Sequence, residues 1–259
     1  MTNPKVDQFF AECAQRAAGY PGAPIAEAAT RFMKESTVPK YSYNFTWLGR
    51  PIIQYPQDMV AVQEVIWDVR PNLIIETGIA HGGSLIMSAS LLAMLEYCDA
   101  AAAGTSVDPA NPKGKVLAID IDIREHNREA IEAHPMAGRI EMLQGSSTDE
   151  NIVAKVHQIA EGFQRVLVCL DSNHTHEHVL AELEAYAPLV SSGSYCIVFD
   201  TIVDDVPADL YPDRPWGPGN SPKSAVHEFL KTHSEFSIQS NIDNKLLISV
   251  APQGYLKRD

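Results

Sequence analysis

The chain has 259 residues, 45% of them hydrophobic, and carries 20 Lys and Arg against 33 Asp and Glu for a formal net charge of -13. That length suits one large domain with additions and is ample to bury a core, while the acidic balance and the lack of a basic run argue against nucleic acid and anionic membranes as partners. The first residues lack a charged-then-apolar signal pattern and no apolar run reads as approaching the roughly 18 residues of a membrane span, so a cytoplasmic location is expected.

In chain order, two helical stretches (residues 6–18 and 25–34) and an aromatic-rich segment (41–55) come first. They read as an N-terminal helical cap, residues 1–60, lying over a site in the main domain, residues 61–259. Strand-like runs at 73–76, 116–121, 140–144, 166–171, 194–199, 236–239 and 246–249 then alternate with helical patterns at 84–98, 126–133, 149–160, 175–187 and 221–232. Such alternation predicts an α/β fold, a doubly wound and mostly parallel seven-stranded sheet, with its last two strands as an antiparallel edge hairpin. Of the loops, 100–114 reads as a plain connection and 202–220, rich in Pro, Asp and Gly, as a lid. Four cysteines (Cys13, Cys98, Cys169, Cys196) form no C-x-x-C pair and read as core thiols.

The first strand ends in Glu76-Thr77-Gly78-Ile79-Ala80-His81-Gly82-Gly83-Ser84. Glycines allow a tight turn and close approach of backbone to a ligand, and Ser84 is placed to cap the following helix. A dinucleotide fingerprint needs G-x-G-x-x-G, whereas Glu-x-Gly-x-x-x-Gly-Gly looks more like a site for S-adenosylmethionine (SAM). Glu76 would accept the ligand amine there. Asp120, at the tip of the second strand, can accept both ribose hydroxyls with its two oxygens, or else cap the next helix. Ser147, in Gly145-Ser146-Ser147-Thr148-Asp149, could meet an adenine edge or belong to a loop capped through Thr148 or Asp149.

Asp171 and Asp200 close two further strands at the same sheet edge. Neighbouring carboxylates repel unless a cation lies between them, and oxygen ligands with room for water suit Mg²⁺. Thr201, with Asp204 or Asp205, could add an oxygen. His174, three residues after Asp171, can face a substrate hydroxyl and take its proton. That placement resembles metal-dependent O-methyltransferases of the catechol type, in which a Lys holds the corresponding position. A zinc site from His174, His176 and His178 is less consistent, because only the first and last share a helix face. Trp47, Tyr55 and Trp216 are candidates to stack on a sugar ring, or core residues.

The stretches Thr46-Trp47-Leu48-Gly49-Arg50-Pro51, Gln54-Tyr55-Pro56-Gln57-Asp58, Asp171-Ser172-Asn173-His174-Thr175 and Arg214-Pro215-Trp216-Gly217-Pro218-Gly219-Asn220, with the terminal Gly254-Tyr255-Leu256-Lys257-Arg258, resemble the cephalosporin hydroxylase / rhamnosyl O-methyltransferase family from about residue 40 onward. The resemblance implies a SAM-methyltransferase fold, SAM held by Glu76 and Asp120, Mg²⁺ on Asp171 and Asp200, a small hydroxyl acceptor such as a glycoside or diol, and a homo-oligomer. One position departs from the family: Phe199 stands where a relative in cephamycin biosynthesis has an acid, which leaves Thr201 or water as third ligand. Alternatives are a tailoring enzyme for cephem-type natural products and an inactive SAM-binding scaffold acting through a protein partner. Iron oxygenase chemistry is disfavoured, since the single H-x-E, His233-Ser234-Glu235, has no later histidine.

Overall fold

The computed structural model describes residues 3–259. Two amphipathic helices, α1 (Pro4–Ala18) and α2 (Pro24–Thr37), lead into a short hairpin of β1 (Phe45–Trp47) and β2 (Arg50–Ile52), and then into α3 (Pro56–Val69). The sequence reading named neither the hairpin nor α3. Proline at the first turn sets the start of all three helices, a position where its missing N–H costs nothing.

The main sheet follows: β3 (Leu73–Thr77), α4 (Gly83–Ala103), β4 (Lys115–Asp120), α5 (Glu125–Glu132), β5 (Ile140–Gln144), α6 (Glu150–Ala160), β6 (Val166–Leu170), α7 (His176–Tyr186), β7 (Tyr195–Val198), α8 (Pro222–Phe229), β8 (Phe236–Ile238), α9 (Ser240–Leu246) and β9 (Tyr255–Arg258). Its order is β5-β4-β3-β6-β7-β9-β8, parallel through β7 and antiparallel at β9 and β8. The doubly wound, mostly parallel architecture is the expected one. The interior strands are apolar on both sides because helices cover both faces. Alternate residues divide between two cores. Ile74, Val116, Ala118, Leu167 and Ile197 pack with α3 and α4. Leu73, Ile75, Leu117, Ile119 and Val168 pack with α6, α7 and α8.

Two expectations fail here. Residues 246–249 do not form the last strand: the Ser-Asn-Ile-Asp-Asn-Lys run before them folds as α9, and the antiparallel partner is β9. Leu246 and Ile248 of the apolar triplet pack beside the first core instead of pairing, whereas Tyr255 and Leu256 carry the buried positions of the real strand. Second, α4 is, by length and composition alone, apolar enough to cross a membrane. Within the fold it packs on α3, β4 and the β1–β2 hairpin, burying Leu85, Ile86, Ala89 and Leu92.

The N-terminal segment is tied to the rest. Asp58 on α3, fully buried, accepts hydrogen bonds from Ser249 Oγ (2.6 Å), Val250 N–H (2.9 Å) and Tyr255 O–H (3.3 Å). Burial pushes its carboxyl up to about 6 against those three bonds. In the same helical layer, Glu96 on α4 and Arg139 ahead of β5 form a buried pair, each side chain 7% exposed, at 2.5 Å.

Candidate functional site

Chain direction across the sheet reverses at β3, which has β4 on one side and β6 on the other. Ligands of open α/β sheets lie outside the strand tips at such a reversal. There Thr77 C=O accepts the Asp171 N–H at 3.0 Å, joining the tips of β3 and β6. Gly78 has φ +88° and a Cβ there would stand 2.0 Å from the Asp171 carbonyl oxygen. Gly82 has φ +81° and a Cβ there would meet Ile131 at 2.4 Å. Both glycines are thus required by protein packing as well as by the turn. Ser84 does not cap α4. Gly82 holds the N-cap position and the Ser84 hydroxyl donates to Glu76 Oε1. The Glu76 carboxyl is buried, 4% exposed, and burial raises it from 4.5 to about 7 against that hydrogen bond.

Arg50, not expected from the sequence, braces this turn. Its guanidinium donates from Nε (3.0 Å) and an Nη (2.5 Å) to the His81 carbonyl and to Asn127 Oδ1 (3.1 Å). Asp120 accepts the Ile79 N–H at 2.7 Å and the Asp122 N–H at 3.0 Å. A carboxylate has about four lone-pair positions, so two stay available. Ser147 is buried and its hydroxyl pairs with His178 Nε2 at 3.1 Å. His178 also meets Ser172 Oγ at 3.2 Å, and Ser172 donates to the buried Glu182 at 2.6 Å. Asp149, of the two caps considered, is the one that holds α6.

The acids expected at the next two tips do converge. One donor atom each from Asp171, His174 and Asp200 lie within 4.8 Å of one another. His174 Nε2 is 3.3 Å from Asp200 Oδ2, and the Trp216 ring stands edge-on to the imidazole with centroids 4.8 Å apart. The Arg214 guanidinium lies over the Trp216 ring, 5.0 Å from its centroid. Burial, with Asp200 and then Glu76 nearby, holds the Asp171 carboxyl well above the usual carboxylate range. Two carboxylates and an imidazole at this spacing, short of positive charge, fit a divalent cation. Asp200 itself has φ +53°, a left-handed turn placed directly after β7.

Other candidates are engaged elsewhere. Thr201 is fully buried and its hydroxyl donates to the Pro252 carbonyl at 2.8 Å. Asp204 accepts from Ser221 Oγ (2.8 Å) and the Gly219 N–H (2.6 Å), and Asp205 pairs with Lys223, so both pin the 202–220 loop. His176 meets Asn220 and Ser224 through its backbone and ring, which separates the three histidines. Tyr55 offers no open ring face: it is buried, bonded to Ser36 Oγ at 2.8 Å, and packed among Phe32 and Tyr41. Trp47 is half-buried and donates to Ser90 at 2.9 Å.

Two cavities adjoin the cluster. One, about 360 Å³ counting the space open to solvent at its mouth, lies between α3 and α4, with Gln54, Asp58, Glu76, Asp171 and Phe199 in its wall. The other, about 340 Å³, lies along the glycine turn against Ile52, Gln54, Gly78, His81 and Asp171.

The family model described as Rhamnosyl O-methyltransferase/CmcI matches residues 39–259. The chain is 26% identical over 218 residues to the Rhamnosyl O-methyltransferase of Mycobacterium bovis, covering 83% of this chain and 78% of that protein. It is 25% identical over 163 residues to the enzyme of that name from Mycobacterium leprae, covering 62% of each. Among solved structures, CmcI with Mg and SAM superposes with a TM-score of 0.52 at 19% identity, covering 84% of this chain and 77% of that one. Apo CmcI gives 0.51 at 19% identity, covering 83% and 76%.

Proposed function

The chain belongs to the Rhamnosyl O-methyltransferase/CmcI family, and from that premise we propose that it transfers a methyl group from SAM to a hydroxyl of a glycoside or related diol, with Mg²⁺ at Asp171 and Asp200. The observation that carries this reading is the convergence of Asp171, His174 and Asp200 beside Glu76 at the chain reversal. The relatives named Rhamnosyl O-methyltransferase support the reaction class, and the CmcI structure with Mg and SAM supports the cofactors.

When bound, SAM supplies an electrophilic methyl and Mg²⁺ a Lewis-acid charge. Glu76 would hold the amine of SAM, and the two free lone-pair positions of Asp120 would hold its ribose. His174 takes the acceptor's proton on Nε2, and Asp200 at 3.3 Å then stabilises the imidazolium. Trp216, edge-on to that ring, limits its rotation and offers its own face to the apolar side of a sugar. The 202–220 loop, anchored at Asp204 and Asp205, would screen the site from water. The segment 1–60 is proposed to cap the same edge, the acceptor to be a small molecule and not nucleic acid or membrane, and the enzyme to be a cytoplasmic homo-oligomer.

The same cluster favours a second assignment, in which His174 is a third cation ligand and not the base. Calorimetric titration with SAM, with and without Mg²⁺ and with NAD as the control, tests the main reading. Micromolar SAM binding with no NAD binding is expected, followed by methylation of glycosides or diols. No SAM binding under either condition would overturn it and bring the scaffold alternative forward. A His174→Ala variant that keeps Mg²⁺ affinity and loses rate supports the base; one that loses Mg²⁺ affinity supports the ligand.

A further inference from the structure

Gln54 lies between β2 and α3, at the edge of the cation cluster. Its side chain is buried, 6% exposed. Its Nε2 donates to Asp171 Oδ2 at 3.3 Å, while its Oε1 is buried with no hydrogen-bond partner. Leaving a buried polar atom unsatisfied costs on the order of 1–3 kcal/mol, so such an atom calls for a ligand or a reason. Gln54 and Asp171 both stand in the walls of both cavities.

Asp171, His174 and Asp200 supply three ligand atoms to the cluster, fewer than the roughly six or more oxygens a hard divalent cation takes. Phe199, next to Asp200, is buried and lines the first cavity with a side chain that has no oxygen to offer. The Thr201 hydroxyl is committed to Pro252. We propose that the Gln54 amide oxygen completes the oxygen shell of the divalent cation at Asp171 and Asp200. Hard divalent cations accept amide carbonyls beside carboxylates. The Nε2 bond to Asp171 would orient both ligands at once, as supporting hydrogen bonds around metal sites do. A neutral ligand there also limits negative charge where Asp171, Asp200, Glu76 and Asp58 already crowd.

This inference rests on the cation reading above, and the test separates the two. Mg²⁺ is titrated calorimetrically into the full chain and its Gln54→Leu, Gln54→Glu, Thr201→Val and Asp171→Asn variants, with thermal melts as the folding check. Gln54→Leu is expected to weaken Mg²⁺ binding by about 10-fold or more. Gln54→Glu, which keeps an oxygen at the same reach, is expected to bind at least as well as the parent, and Thr201→Val to be unchanged. Loss of binding in Asp171→Asn with parental binding in Gln54→Leu would overturn the Gln54 assignment alone. Should Gln54→Leu fail to fold, Gln54→Glu decides, because weaker binding in that variant overturns the assignment. No Mg²⁺ binding by the parent, with or without SAM, would remove the cation reading and Gln54 with it.

Discussion

Replacing Glu76 by Gln is expected to stabilise the unliganded protein at neutral pH while weakening its hold on SAM. Burial raises the Glu76 carboxyl from 4.5 to about 7. Below pH 4.5 the group is protonated folded and unfolded, and burial costs the fold nothing from this source. As pH rises through 4.5–7, the unfolded chain releases the proton and the folded one is held back, so stability falls. Above pH 7 the full cost stands, roughly 3 kcal/mol at 1.36 kcal/mol for each pKa unit. Gln at the same place carries no charge and escapes it.

The assay is thermal or urea unfolding of parent and Glu76→Gln between pH 4.5 and 8. Taking the difference between the two curves removes most of the contribution of Asp58 and Asp171, which burial also pushes upward. The difference should grow by up to about 3 kcal/mol, or about 6–12 °C in melting temperature for a domain of this size. SAM should reverse the order, because an ammonium beside Glu76 compensates the buried charge and has no such partner in the variant. A pH-independent difference, or a variant less stable at every pH, would refute the reasoning.

His174→Ala is expected to cost about 10²–10⁴ in turnover, measured at saturating acceptor; a loss below 10-fold would reduce it to a helix-start residue. Asp171→Ala should abolish Mg²⁺-dependent methyl transfer with the fold retained by circular dichroism, and full activity would remove the metal site from the account. Gly78→Ala must combine a φ of +88° with a Cβ only 2.0 Å from the Asp171 carbonyl; we expect more than about 2 kcal/mol of destabilisation and displacement of Asp171, read by urea melts and Mg²⁺ titration. Breaking the buried pair with Arg139→Ala leaves Glu96 uncompensated and should cost about 3–5 kcal/mol by urea melts.

The sheet could be read from sequence where strands are central. Val166–Leu170 and the Leu73–Ile75 run of β3 are apolar on both faces, and a following acid or glycine turn marks each end. It is not legible at the margin, where β9 is two buried residues, Tyr255 and Leu256, followed by half-exposed Lys257 and Arg258, with no alternation to outweigh the apolar triplet at 246–248. α3 went unnamed because its apolar residues sit behind Tyr55 and Pro56, inside a segment whose aromatics dominated the reading. Asp171, His174 and Asp200 were legible because strand ends fix where a carboxylate emerges. Gln54 and Arg50 were not, since both act from a hairpin that touches the sheet edge only in three dimensions; a polar residue just before the proline start of α3 was the available signal. Thr201 shows the limit of adjacency: one residue after a cluster acid, a left-handed turn at Asp200 leaves its hydroxyl on Pro252.

The placement of β9 between β7 and β8 has a consequence for the order in which the sheet can assemble. β8 is made before its neighbour, and Phe236 belongs to a core that is not closed on that side until Leu256 arrives. Asp58 faces the same delay, since its three hydrogen-bond donors lie 191 to 197 residues downstream. As the chain emerges from N- to C-terminus, α3 therefore presents an unsatisfied carboxylate until residues 249–255 arrive, and β7 an open edge from its own emergence until β9 pairs with it. Pairing this non-local is slow and exposes strand edges to wrong partners. β9 acts as a clasp between β7 and β8, and deleting residues 255–258 should leave both of those strands with exposed, aggregation-prone edges.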